Sequence, residues 1–126
     1  MIDVWLTEGL AEAVSGGTAG SRITDLDQMN ELRQKYGSSL NPIKMHLYEY
    51  PDVDGIIFYY YYPMFQLAVE YLVDVNGHGK SFNDIKNLFM DVSVGVPFPT
   101  AFENRFGMSL LEYEVQFFDL MSDYLQ

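Results

Sequence analysis

Residues 56–77 read IIFYYYYPMFQLAVEYLVDVNG, and the conformation of this apolar run decides the fold class. Its isoleucines and tyrosines favour a β-strand by propensity alone. Its length favours a buried α-helix, as does the helical spacing of four apolar residues: Phe65, Val69, Leu72 and Val73. Pro63 suits the first turn of a helix, where its missing N–H is not needed. We therefore predict a helix that begins at about Pro63, or a few residues earlier, and ends at Val75.

The N-terminal half alternates between helix and loop, with no convincing hairpin. Apolar residues at helical spacing predict a first helix over residues 3–15. A second helix is predicted to follow, capped by Thr24 or Asp25 and ended by Gly37. Prolines and turn-forming residues predict an ordered but irregular connection over 38–55, with room for a short helix near 43–48.

The C-terminal third carries start signals for three further helices. Ser81 followed by Asp84 resembles a capping box for a helix over 82–92. The remaining signals are the helix-opening Pro97 and Pro99, the helix-ending Gly107, and the capping pair Ser109 and Glu112. The sequence therefore predicts a single all-α domain over 1–126, with five to six helices.

Composition narrows the classes of partner. The 126 residues include 18 acidic and 7 basic ones, for a formal charge of −11. Such a surplus argues against nucleic acid and anionic membrane as partners, because binding phosphate needs Lys and Arg. No apolar run is long enough to span a bilayer, so no membrane insertion is expected. Cysteine is absent, which excludes disulfides, thiolate zinc sites and a cysteine nucleophile.

The stretch WLTEGLAE at residues 5–12 contains the most informative pair of side chains. A helix places Glu8 and Glu12 on one face, because residues at this spacing are neighbours. The surrounding residues are largely apolar, so burial of two carboxylates is costly unless a metal ion, an arginine or a lysine pairs with them. Gly9 is less favourable in a helix than Ala by about 1 kcal/mol. We therefore expect another backbone or a bulky ligand to pass close to Gly9.

WLTEGLAE resembles the downstream motif of gluzincin metallopeptidases, in which an upstream His-Glu-x-x-His helix supplies two zinc ligands and the general base. The resemblance implies that Glu8 is the third zinc ligand and that Glu12 orients a ligating histidine. The stretch AFENRFGMSLLEYE at 101–114 is similar to the end of such peptidase domains. Within the group, WLTEGLAEAVSGGTAGS at 5–21 is most similar to bacterial collagenase-type peptidases. The implied fold is the C-terminal helical subdomain of a gluzincin, and the implied location is exported or in the bacterial envelope.

The sequence departs from the family because it has no His-Glu-x-x-His, and neither His46 nor His78 has a histidine four residues away. A catalytic zinc needs three protein ligands and an open position for water. Glu8 is the one ligand that the motif supplies. We therefore expect the chain to be the downstream half of a peptidase domain that binds zinc and a peptide or protein substrate only when complete. By itself the chain should bind no zinc and should be inactive.

A tyrosine often donates a hydrogen bond to the oxyanion in this family. The run Tyr59–Tyr62 lies in the corresponding part of the chain, which makes Tyr60 or Tyr62 the candidate catalytic residue. Packing into a core or an interface is the competing explanation for any one of these tyrosines.

Two further expectations concern partners. If the chain is half of a domain, Trp5, Leu6 and some of the tyrosines should form an exposed aromatic surface, and the chain should be a homo-oligomer. The alternative function is a stand-alone acidic helical module that binds a protein partner and has no metal or catalytic role. Glu8 and Glu12 should line a concave surface beside a tyrosine in the first case, and point into solvent in the second.

Overall fold

A computed structural model describes residues 2–14, 22–36, 60–74 and 77–124 of the chain. Six helices lie in these ranges: α1 (Val4–Val14), α2 (Arg22–Tyr36), α3 (Tyr62–Val73), α4 (Phe82–Ser93), α5 (Phe98–Phe106) and α6 (Leu110–Tyr124). These ranges contain no β-strand, so the all-α class with five to six helices is confirmed. Within the same ranges, no helix is both long enough and apolar enough to cross a bilayer.

The ambiguous tyrosine-rich run becomes the central helix α3. Tyr60 and Tyr61 form a wider turn in front of it, and Pro63 lies in its first turn as predicted. The helix ends at Val73, earlier than the predicted Val75, because Asp74 leaves the helix with an extended backbone (φ −68°, ψ 140°). The chain then turns back on the helix end.

Backbone hydrogen bonds hold this turn against α3. The N–H of His78 donates to the carbonyl of Tyr71 at 3.0 Å, and the N–H of Lys80 donates to the carbonyl of Leu72 at 2.9 Å. Carbonyl groups in the last turn of a helix have no partner within the helix itself. The returning segment supplies the missing donors, and it also brings the His78 ring against α3.

The contact between α1 and α3 is a very close one at Gly9. A Cβ atom at Gly9 would lie 2.7 Å from the carbonyl carbon of Phe65 and 2.8 Å from the Cγ2 of Val69. Real Cβ atoms do not approach other heavy atoms so closely, and the α3 backbone cannot move aside as a flexible side chain could. The expectation that another backbone passes close to Gly9 is therefore confirmed, and that backbone is α3.

An aromatic core joins α1 and α3 to the C-terminal helices. The ring of Trp5 stacks on Tyr113 of α6 with centroids 5.5 Å apart, and its edge meets Phe102 of α5 at 6.4 Å. The hydroxyl of Tyr113 donates a hydrogen bond to the backbone carbonyl of Ala68 in α3. Burial raises the pKa of Tyr113 well above its ordinary value, so the phenol stays neutral and can serve as this donor.

The prediction that Trp5 and Leu6 form an exposed surface is wrong. Both side chains are fully buried within the chain, and Tyr60 and Tyr61 are buried too. Helices α3, α5 and α6 cover the face of α1 that was expected to need a missing partner. The predicted homo-oligomer would therefore need a different surface.

Local signals at the helix ends agree with the structure in most places. Ser81 and Asp84 form a capping box at the start of α4, with the Ser81 N–H donating to the Asp84 carboxylate at 2.8 Å. Gly107 ends α5 with a positive φ of 75°. The Ser109 hydroxyl accepts a hydrogen bond from the N–H of Glu112 at 3.0 Å. These contacts involve neighbours in sequence, which is why they could be predicted.

Helix α2 differs from its prediction at the start. It begins at Arg22, so neither Thr24 nor Asp25 precedes it as a cap, because both lie inside the helix. Two apolar residues of the helix, Met29 and Leu32, are buried. The short helix expected near 43–48 falls outside the described residues.

Substitution of Gly9 tests the close contact of α1 with α3. Propensity alone predicts that Gly9→Ala stabilises the helix by about 1 kcal/mol. We expect the opposite, a loss of about 1–3 kcal/mol in the free energy of unfolding, because the new Cβ overlaps the Phe65 backbone. Urea unfolding followed by circular dichroism measures it. Ala11→Gly at an exposed site of α1 is the control and should lose only about 1 kcal/mol.

Substitution of Ser81 tests the capping box. We expect Ser81→Ala to lower the free energy of unfolding by about 1 kcal/mol near neutral pH. The hydrogen bonds from Ser81 hold the pKa of Asp84 below its ordinary value. The carboxylate therefore stabilises the fold above the ordinary carboxyl pKa, and this stabilisation is lost as the pH falls.

Ser81→Ala should therefore make the free energy of unfolding fall less steeply as the pH is lowered. Urea unfolding at several pH values between neutral and acidic measures both effects. Ser93→Ala, in the last turn of the same helix, removes an exposed hydroxyl that donates a hydrogen bond to the carbonyl of Met90 and is the matched control. An unchanged acid dependence in Ser81→Ala would contradict the role given to the capping box.

Candidate functional site

Helix α1 carries the two candidate carboxylates at the edge of the core. Glu8 and Glu12 are both half-buried, whereas Thr7 and Ala11 are exposed. Glu8 is the residue directly before Gly9, the point at which α1 touches the α3 backbone. The orientation of α1 is therefore fixed, and Glu8 leaves the helix between the core face and solvent. A carboxylate in such a place keeps part of its hydration and can still reach a cation.

Potential metal-ligating side chains are not clustered in the described parts of the chain. These parts contain no group of three histidine, cysteine, aspartate or glutamate side chains that could hold a metal ion. The described residues therefore do not complete a zinc site, and Glu8 could contribute at most one ligand of several. His46 lies outside the described residues.

His78 is part of the aromatic core. Its ring meets the ring of Tyr71 edge-on with centroids 4.9 Å apart, and that of Tyr113 at 5.4 Å. Its Nε2 atom is buried, with no hydrogen-bond partner among the described residues. The Gly-His-Gly sequence at 77–79 carried no signal for this packing, which depends on the fold of α3 and α6. The structure thus places the ring of His78 against the rings of Tyr71 and Tyr113.

The two candidate tyrosines occupy different environments at the start of α3. Tyr60 is only 3% exposed, and its ring packs edge-on against that of Tyr61 with centroids 5.1 Å apart. Tyr62 is half-buried and so keeps part of its surface accessible. Tyr62 opens α3, and Tyr60 lies two residues before it. Both candidate tyrosines are therefore at the start of the helix on which Gly9, the neighbour of Glu8, packs.

Sequence reasoning missed one residue of this region, Arg33 of α2. Its guanidinium group donates a hydrogen bond to the hydroxyl of Tyr60. Burial raises the pKa of Tyr60, and the charge and hydrogen bond of Arg33 offset part of that rise. The residues are far apart in sequence, and the spacing of arginines along the predicted helix carried no signal for this pairing.

Comparison of the chain with models of known protein families, with curated proteins and with solved structures found no match.

Removal of Arg33 tests the pairing with Tyr60. We expect Arg33→Met to raise the pKa of Tyr60 further, because burial then acts without the positive charge that offsets it. The measurement is a pH titration followed by NMR of ¹³C-labelled tyrosine rings, with Tyr60→Phe used to assign the signal. Lys35→Met removes an exposed positive charge from the same helix and should leave this titration nearly unchanged. A lower pKa in Arg33→Met would contradict the pairing.

Proposed function

We propose that this chain is the downstream helical part of a gluzincin-type zinc peptidase, in which Glu8 supplies the third zinc ligand. The observation that carries the proposal is the position of Glu8 beside Gly9 at the contact of α1 with α3. The Glu-Gly pair of the motif has a physical reason in this arrangement. The glycine lets the two helices touch, and the contact fixes the direction of the adjacent carboxylate.

The burial of α1 supports the same proposal. Trp5 and Leu6 are fully buried, so the helix is anchored by the residues that precede Glu8. A metal ligand must be held in a narrow range of positions, and a helix anchored on both sides of the ligand provides this. Glu12 lies one turn further on, where a carboxylate could accept a hydrogen bond from a ligating histidine.

The candidate tyrosines can be ranked by accessibility. A residue that donates a hydrogen bond to a reacting oxyanion must reach the substrate. Tyr60 is almost fully buried and its hydroxyl accepts a hydrogen bond from Arg33. Tyr62 is half-buried and lies at the very start of α3. We therefore assign the substrate-facing role to Tyr62, and to Tyr60 a role in fixing α2 against α3.

The chain supplies only part of the chemistry in this proposal. The sequence has no His-Glu-x-x-His, so both histidine ligands and the general base must belong to another segment. Since the described residues do not complete a zinc site, no catalytic step is assigned to this chain. The function proposed for it is to contribute one ligand and the helices that position that ligand.

The first test of the proposal is to read the coding sequence upstream of this chain in its source. The proposal predicts a His-Glu-x-x-His motif there, in frame with the chain. A gene product without such a motif, and without a partner polypeptide that carries it, would contradict the proposal.

Zinc content then tests Glu8 in that complete gene product. We expect Glu8→Gln to lose bound zinc almost entirely, because it removes a direct ligand. Glu12→Gln should weaken zinc affinity by about 10–100-fold, as is usual for groups that orient a ligand. The control is Glu103→Gln, which removes an exposed carboxylate of α5 and should retain zinc. The readout is elemental analysis after dialysis against chelators of graded strength.

Two results would contradict the assignment of Glu8. One is full zinc content in Glu8→Gln, and the other is an equal loss of zinc in Glu8→Gln and Glu103→Gln. Circular dichroism spectra of all three variants confirm that any loss of zinc does not follow from unfolding.

A further inference from the structure

Helix α6 carries apolar residues on two different sides. One side faces the core through Tyr113, Phe117 and Met121. The other side exposes three large apolar residues: Leu111 at 64%, Val115 at 53% and Phe118 at 43% of their surfaces. Residues at this spacing lie on one face of a helix. We call Leu111, Val115 and Phe118 the outer stripe.

Acidic residues lie along one flank of the outer stripe. Glu112, Asp119 and Asp123 are exposed on the same helix. The sequence of α6 contains no lysine or arginine, and the whole chain carries a formal charge of −11. A single exposed apolar residue needs no explanation, but an aligned row with charges of one sign beside it is typical of a binding surface.

We propose that the outer stripe binds a basic amphipathic helix of a partner protein. The apolar side chains of that helix would cover Leu111, Val115 and Phe118, and its lysines or arginines would lie opposite Glu112, Asp119 and Asp123. This is the usual mode in which an amphipathic helix docks on an apolar face. The proposal goes beyond the peptidase function and depends on neither zinc nor Glu8.

The negative charge of α6 favours a basic helix over a second copy of the chain and over an anionic lipid surface. A second copy of the chain would place the acidic residues of one outer stripe against those of the other, which costs free energy. An anionic lipid surface would meet the same repulsion. A basic helix instead gains free energy from both the apolar contact and the opposite charges, and this attraction speeds association at low salt.

The test uses labelled synthetic peptides and fluorescence anisotropy. The first peptide has about 18 residues, with leucines at helical spacing and lysines elsewhere. The second replaces lysine by glutamate, and the third has the composition of the first in an order without helical spacing. We expect the Leu–Lys peptide to bind, with affinity falling as salt rises. The other two peptides should bind at least about tenfold more weakly.

Variants of the chain locate the binding site. Val115→Ser should weaken binding of the Leu–Lys peptide by about tenfold, because it removes an apolar contact at the middle of the stripe. Asp119→Lys should weaken it by reversing one charge and should reduce its salt dependence. Val94→Ser, at an exposed apolar residue directly after α4, is the matched control and should leave binding unchanged. All three sites are exposed, and circular dichroism verifies that the variants fold.

Several outcomes would overturn the proposal. Equal binding of the Leu–Glu peptide would show that charge plays no part. Equal binding of the reordered peptide would show that helical spacing plays no part. An equal effect of Val94→Ser would place the site elsewhere. Light scattering that finds a dimer which Val115→Ser dissociates would make a second copy the occupant. Binding to phosphatidylserine vesicles that is lost in Val115→Ser would make a membrane the occupant.

Discussion

The close contact of Gly9 with the backbone of Phe65 determines how α1 packs on α3. It allows α1 to lie directly on α3, closer than any residue with a side chain would permit. That contact sets the rotation of α1 about its own axis. Trp5 and Leu6 then enter the core, and Glu8 emerges at its edge. The absence of a Cβ atom at Gly9 thus permits the packing that buries Trp5 and Leu6 and leaves Glu8 at the edge of the core.

The C-terminal helices depend on the same arrangement. Trp5 meets Phe102 and Tyr113 only because α1 is held against α3. The Tyr113 hydroxyl in turn donates to the carbonyl of Ala68, a backbone group in the middle of α3. Breaking a buried hydrogen bond of this kind costs free energy, because the donor and the acceptor would both be left without a partner and without water. The core therefore links the N-terminal helix to α5 and α6.

Predictions from the sequence succeeded where the cause was local. Ser81, Gly107 and Ser109 act on neighbours in the chain, and Gly9 was identified because its low helix propensity needed an explanation. One local prediction failed, the cap of α2 at Thr24 or Asp25, and other predictions failed where residues distant in sequence decide the outcome. The burial of Trp5 depends on α5 and α6, and the contact of Arg33 with Tyr60 depends on how α2 packs. Neither leaves a periodic or capping signal in the sequence.

In the function proposed for this chain, the Glu8 carboxylate binds a zinc ion whose other ligands belong to a different segment. Anomalous diffraction at the zinc edge, from crystals of the complete gene product, locates this ion and its ligands. We expect a zinc peak about 2.0–2.2 Å from a carboxylate oxygen of Glu8, with two histidines completing the protein ligands. A zinc site that is fully formed by other residues, with the Glu8 side chain in solvent, would contradict it.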